Sequence, residues 1–180
     1  MPPIEILPYD PAWADQFTEL RAVLLGNLSG LAADVQHLGS TAVPGLAAKP
    51  ILDITVIIAT RDTLPATIDR LGEIGYQHQG DLGIAGREAF RNLGRDVPRD
   101  GSGREWPVHY LYVCAADNRE YRRQRAVRDF LRHHPEETAA YAALKQELAV
   151  QFAADRNGYS NAKTDFIVSI LRQAAPDLVS

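Results

Sequence analysis

A disulfide framework is excluded first. The chain has one cysteine, Cys114, and a single thiol cannot close an internal bridge. That favours a reducing, cytoplasmic setting. Cys114 lies in the apolar run HYLYVC and reads as a small core residue rather than a nucleophile. No run approaches the roughly 20 apolar residues of a membrane span. The start, MPPIEILPYD, has neither a basic lead nor a long apolar stretch, so no secretory leader is expected. There is no internal repeat and no low-complexity tract. An excess of positive charge is also missing: the formal net charge is −4. Nucleic acid is therefore not the expected partner, although one arginine-rich stretch argues weakly for it. What is present is ordinary for a globular chain, with 46% apolar and 23% charged residues among 180. That is enough for one domain with a sizeable core.

Patterning along the chain predicts a mixed fold. Residues 4–7 suggest a short edge strand closed by Pro8. Asp10-Pro11 reads as a helix start, an acceptor followed by proline at the first helical position. Trp13, Phe17, Leu20, Leu24 and Leu28 keep helical spacing behind it. Residues 34–38 and 51–59 read as strands and 61–73 as a surface helix. Residues 75–79 and 84–92 suggest a strand pair about Gln79-Gly80-Asp81. Breakers fill 94–107, which makes that loop the natural candidate for a lid. Residues 108–114 form a strong strand. Helices follow over about 118–133, with capping-box spacing at Asp117 and Glu120, and over about 136–154. Asn157-Gly158 is expected to end the second of these, and Ser160 to cap a last helix. Strands among helices early, then three helices in a row, predict an α+β domain over residues 1–180. Its sheet core falls at about 30–115 and a C-terminal helical layer at about 117–175.

The most informative stretch is His37–Val56, HLGSTAVPGLAAKPILDITV. A Gly-Ser turn after a strand leaves backbone N–H groups free, lets a phosphate approach closely and adds the Ser40 hydroxyl as a donor. Asp53 then falls inside an apolar strand, facing the same way as Ile51 and Thr55. A buried unpaired carboxylate is costly. Asp53 must therefore meet a cation, a cluster of donors, or water in a cleft. A hard metal bridging to phosphates would suit it. The plainer alternative is a tight turn at Gly39-Ser40 with Asp53 bonded to neighbouring backbone.

Basic residues fall where apolar ones are expected. Arg123, Lys145 and Lys163 each lie three or four residues from members of apolar helical stripes. Each must snorkel outward, pair with a carboxylate or point into a polar cleft. Three on successive helices suggest convergence on an anion site at Gly39 and Ser40. Arg128 at a stripe border and Arg87 in GIAGREAF are candidates for the same cleft. Lys49 is placed to pair with Asp53 or to contact phosphate. His37, His109 and Tyr159 are possible auxiliaries, although core packing explains each as well. The remaining arginines of the 118–133 helix (119, 122, 125 and 132) are expected to be solvated or paired with Glu120 and Asp129.

These residues also carry a resemblance. Leu38-Gly39-Ser40, a spacer over 41–52, then Asp53-Ile54-Thr55 resembles the pattern of the DNA polymerase β type nucleotidyltransferase superfamily. More closely, HLGSTAVPGLAAKPILDI, with GIAGREAF, HYLYV, VRDFLRHHP, YAALKQELA and YSNAKTDFI, resembles the GrpB-like family of predicted nucleotidyltransferases. The resemblance covers nearly the whole chain. It implies a nucleotidyltransferase-like mixed sheet with flanking helices, a nucleotide or other phosphate-bearing small molecule as ligand, and Mg²⁺ or Mn²⁺ held at Asp53. In that superfamily two carboxylates hold the metals; here Thr55 stands at the second position. The resemblance therefore implies either a metal-dependent nucleotidyltransferase or a helper domain that binds a nucleotide or a coenzyme A-related ligand without turnover.

Overall fold

A computed structural model describes residues 4–179, without the side chain of Arg156. The elements in order are α1 (Ala12–Asn27), β1 (Ala32–Leu38), β2 (Leu52–Ile58), α2 (Leu64–Glu73), β3 (Tyr76–His78), β4 (Arg87–Asn92), β5 (His109–Ala115), α3 (Arg119–His133), α4 (Pro135–Gln151), α5 (Arg156–Asn161) and α6 (Thr164–Ala174). The strands form one mixed sheet in the order β1-β2-β5-β4-β3. Only β2 and β5 run parallel, and a crossover through α2, β3 and β4 supplies the reversal that a parallel pair requires. This is the α+β arrangement expected from the patterning.

Alternation in β2 sorts the two faces. Leu52, Ile54, Val56 and Ile58 join Trp13, Leu20 and Leu24 of α1, Leu71 of α2, and Leu111 and Val113 of β5 in the main core. Asp53, Thr55 and Ile57 face the other way, toward the C-terminal helices; there Ile57 packs with Leu38, Cys114 and Tyr121. Cys114 is a buried core residue, as its apolar run implied.

The helical layer is held to the strand–turn segment 37–47 in two ways. Val43 and Leu46 from the turn pack with Leu131, Tyr141 and Ile170 of α3, α4 and α6. Basic side chains then reach carbonyl groups. Arg128 donates to the His37 carbonyl and to Gln36 Oε1, both at 2.9 Å. Arg132 donates to the Ala42 carbonyl at 2.9 Å, and Lys145 Nζ to that of Ala47. A charged donor to a carbonyl is stronger than a neutral pair, and Arg128 and Lys145 are 8% and 2% exposed.

Several local expectations need correction. The edge strand at 4–7 is a single bridge, Leu7 to Ala48. Asn118, not Asp117, caps α3, accepting the Tyr121 N–H at 3.0 Å. Asn157-Gly158 does not end a helix. Asp155 accepts the Gly158 N–H at 2.9 Å and starts α5 through both residues, so Ser160 lies inside α5 and Lys163 stands at the entry to α6. The lid candidate 94–107 is anchored instead. Val97 and Trp106 are buried in the α1-side core, and Trp106 Nε1 donates to the Pro98 carbonyl at 2.8 Å. Arginines 122 and 125 pair with Asp177 and Asp129; Arg132 does not follow them, because the turn carbonyl is its partner.

Replacing Arg128 with methionine keeps the stem but strands the His37 carbonyl and the Gln36 amide. Urea denaturation should show a loss of about 2 kcal/mol. Arg128→Lys should recover only part of it, because the guanidinium reaches both acceptors through Nη1 while Nε and Nη2 hold Asp129, a spread that one ammonium cannot match.

Candidate functional site

Gly39 links the turn to the carboxylate. Its φ is +67°, a left-handed conformation open to glycine at little cost. A Cβ at this position would sit 2.8 Å from Asp53 Cγ and nearer still to Oδ2. The Asp53 carboxylate therefore lies against the bare α-carbon of the turn, with Leu38 directly across the β1–β2 ladder. The sequence needs glycine here for both reasons.

Asp53 opens into a cleft with two lobes. One, about 310 Å³, is lined by Gly39, Ser40, Asp53, Tyr112, Glu120, Arg123, Gln124, Arg128, Tyr141 and Lys163 among others. The second, about 250 Å³, is lined by Ser40, Lys49, Asp53, Tyr110, Tyr112, Lys145, Tyr159, Ser160 and Lys163 among others. Ser40, Asp53, Tyr112 and Lys163 belong to both, so Asp53 stands at the waist.

Charge is unevenly shared between the lobes. In the first, Glu120 lies 3.7 Å from Arg123 and accepts from Gln124 at 2.9 Å. Arg123 also donates to the carbonyls of Leu178 and Val179, so its charge is largely engaged within the helical layer. The second lobe holds three lysines. The Lys49 and Lys163 ammonium groups lie 4.4 and 4.3 Å from the centre of the Tyr159 ring, and Lys145 lies 4.8 Å from that of Tyr141. Such contacts favour the cation modestly. Arg87 lies over Tyr112 at 4.3 Å, and its Nε is buried without a hydrogen-bond partner.

Burial and crowding shift these groups. Burial raises the Asp53 carboxyl to about 6, although Lys163, Arg87 and Lys49 all pull it back down. Burial, then the charge of Lys163, lowers Lys145 to about 7. Burial, then Lys49, lowers Lys163 to about 8, with Asp53 opposing. Desolvation penalises every charge in the lobe, and like charges penalise one another. Burial likewise pushes the Tyr159 hydroxyl up to about 12.

The structure thus gathers Gly39, Ser40, Lys49, Asp53, Arg87, Lys145, Tyr159 and Lys163 at one place. Thr55 is on the same face, 2% exposed. Arg123 and Arg128 line the first lobe, where both hold protein carbonyls. The two histidines lie across the sheet. His37 stacks on Phe17 of α1 at 4.7 Å and meets Thr41 Oγ1 at 2.9 Å. Burial, with Arg132 and Arg128 nearby, holds it down to about 4. His109 meets Tyr76 Oη at 2.7 Å and the Pro107 carbonyl at 2.8 Å. Both are core histidines bonded to protein partners, and strand parity explains why neither reaches Asp53. Sequence reasoning passed over Tyr112, Tyr141, Glu120 and Gln124. The Tyr-x-Tyr alternation in β5, beside the strand of Asp53, was the available signal for Tyr110 and Tyr112.

Among the described residues no group of three or more His, Cys, Asp or Glu side chains is arranged to hold an ion. Asp53 is a lone carboxylate facing cations. The residues present do not fit a metal held by the protein alone.

Comparison with known proteins agrees with the architecture. The UPF0157 protein PA4798 of Pseudomonas aeruginosa is 34% identical over 95% of this chain, which spans 67% of that relative. The UPF0157 protein YqkA of Bacillus subtilis is 30% identical over 91% of the chain, which spans 45% of it. The crystal structure of the conserved protein GrpB from Enterococcus faecalis superposes with a TM-score of 0.79 at 31% identity, covering 98% of this chain and 100% of that one. A structure of Cid1, described by its RNA terminal uridylyl transferase activity, matches at a TM-score of 0.51 and 13% identity over 88% of this chain and 49% of that one. At that identity the likeness is one of fold, and the fold is nucleotidyltransferase-like. The GrpB family model matches residues 3–173, and with these relatives beside it the chain belongs to the GrpB family.

Proposed function

We propose that the cleft binds the phosphate groups of a nucleotide, or of a related molecule such as a coenzyme A derivative, in the lobe of Lys145, Lys163 and Lys49. One observation carries this reading: Lys163 at the entry to α6, Arg87 of β4 and Lys49 before β2 all act on the single carboxylate of Asp53 beside the Gly39-Ser40 turn, and Lys145 of α4 lines the same lobe. In a confined cavity that arrangement leaves positive charge in excess, and an anion relieves it. Ser40 contributes a hydroxyl donor at the waist. An anion drawn there by the lysines would meet Asp53 as the one opposing charge, which sets how closely the phosphates approach the turn.

The binding reading is favoured over transfer because Thr55 leaves Asp53 without a partner carboxylate. Nucleotidyl transfer is the second reading, supported by the contact of Asp53 with the Gly-Ser turn and by the fold. Mg²⁺ or Mn²⁺ would have one protein oxygen and would depend on the ligand for the rest.

Calorimetric titration with nucleoside triphosphates, with and without Mg²⁺ or Mn²⁺, separates the readings when paired with a pyrophosphate-release assay over an acceptor panel. Binding that survives chelation, without pyrophosphate release, supports the first reading. Turnover that requires metal and is lost in Asp53→Asn supports the second. No binding in either condition overturns both. Gly39→Ala should weaken binding in either case, because a side chain at φ +67° that meets the Asp53 carboxylate forces the Gly39-Ser40 turn out of place.

Affinity for inorganic tripolyphosphate should fall as pH rises from 6 to 9. The amines of Lys145 (about 7) and Lys163 (about 8) lose their charge across that range, and Asp53 (about 6) gains its negative charge near the lower end. Both changes weaken an anion site. Lys163→Met should lower the affinity about tenfold at pH 6 and flatten the dependence. A pH-independent affinity would remove the lysines from the site.

A further inference from the structure

The cleft continues beyond its cationic lobe. A groove of about 410 Å³ lies along β4 and the start of β5, lined by Leu82, Ala89, Phe90, Val108, Tyr110 and Tyr112 among others. Tyr110 and Tyr112 also line the lysine lobe, so the two spaces adjoin at these side chains of β5. Its volume is within the range of about 300–1,000 Å³ typical of small-molecule sites.

Its lining is unusual for solvent-facing surface. Leu82, Val108 and Tyr110 are 67%, 60% and 45% exposed, and they are three of the five large apolar side chains exposed among the described residues. Their concentration in one groove marks a binding surface rather than scattered exposure. Leu82 is also the one described non-glycine residue at positive φ, +47°, a backbone conformation that residues with side chains seldom adopt.

The tyrosines of the cleft differ in one respect. Tyr112 has Arg87 over its ring, Tyr141 stacks on Phe166 at 4.8 Å, and Tyr159 holds two ammonium groups. Tyr110 has no ring or cation partner among the described residues, and it stands where the lysine lobe meets the apolar groove. Gln79, Arg91, Asn92 and His109 add polar groups to its lining. An exposed aromatic face, apolar walls and neighbouring polar groups together suit a flat heteroaromatic ring.

We propose that this groove seats the base of the nucleotide whose phosphates occupy the lysine lobe, with Tyr110 as the stacking surface. The proposal rests on the phosphate reading and adds a direction to it: the ligand runs from the Gly39-Ser40 turn across β5 toward β4. Tyr110, at the border of the two spaces, is then a specificity residue for the nucleoside part.

The test compares inorganic tripolyphosphate with ATP, GTP, CTP and UTP by calorimetry, on the wild type, Tyr110→Ala and Tyr110→Phe. At least one nucleotide should bind the wild type about tenfold more tightly than tripolyphosphate. Tyr110→Ala should weaken nucleotide binding far more than tripolyphosphate binding and so erase that increment, and Tyr110→Phe should keep it. Nucleotides that bind no better than tripolyphosphate, or an increment that survives Tyr110→Ala, would overturn the proposal and leave the phosphate reading standing. Absence of tripolyphosphate binding would overturn the phosphate reading, and this one with it. Sedimentation velocity on the same variants covers the other occupant. A dimer lost in Tyr110→Ala, with nucleotide affinity unchanged, would make the groove a face between copies of the chain.

Discussion

Cationic side chains bonded to backbone carbonyl oxygens hold this protein's two layers in place. Arg128, Arg132 and Lys145 leave the C-terminal helices and end on the carbonyls of His37, Ala42 and Ala47. Those carbonyls belong to one short segment, the end of β1 and the turn beyond it. A turn of small residues has little side-chain surface with which to fix its own shape. Here its free acceptors are used, and Val43 and Leu46 fill the space between them. The turn that bears on the carboxylate is thus also the seat of the helical layer. Conformational change in one must be felt by the other.

The same design explains why a polar cleft survives in the interior. Asp53 is set against Gly39 by a contact that admits no side chain, and burial alone would neutralise it. Lys163, Arg87 and Lys49 counter that tendency but bring more charge than one carboxylate can answer. Each burial penalty is therefore shared among groups of opposite sign rather than removed. Lys145 has two duties, since its ammonium both anchors to the Ala47 carbonyl and adds to the field of the lobe.

Much of this was legible in the sequence, for identifiable reasons. Period-two alternation placed Asp53 and Thr55 on one face of β2, and helical spacing marked Lys145 and Lys163 as cations on apolar stripes. Strand and helix order gave the α+β class. What was illegible depended on contacts distant along the chain. Arg128 and Arg123 have the same pattern as the lysines, but their partners are carbonyls some 91 and 55 residues away. His37 and His109 are near Asp53 in sequence or in the sheet, yet strand parity turns both to the opposite face. Asn157-Gly158 has the composition of a helix end; Asp155, a residue of ordinary appearance, reverses that by capping. The lid reading of 94–107 rested on breakers alone, and breakers do not show that Val97 and Trp106 are core residues.

That last segment has a kinetic meaning. With Val97 and Trp106 sunk in the core behind the sheet, the 94–107 loop is committed to the far side of the molecule from Asp53. A ligand at the proposed anion site would not wait on that stretch of peptide to swing aside. Arrival of an anionic guest would be governed by diffusion and by the pull of the lysine field, and departure by how quickly water can resolvate the charges left behind.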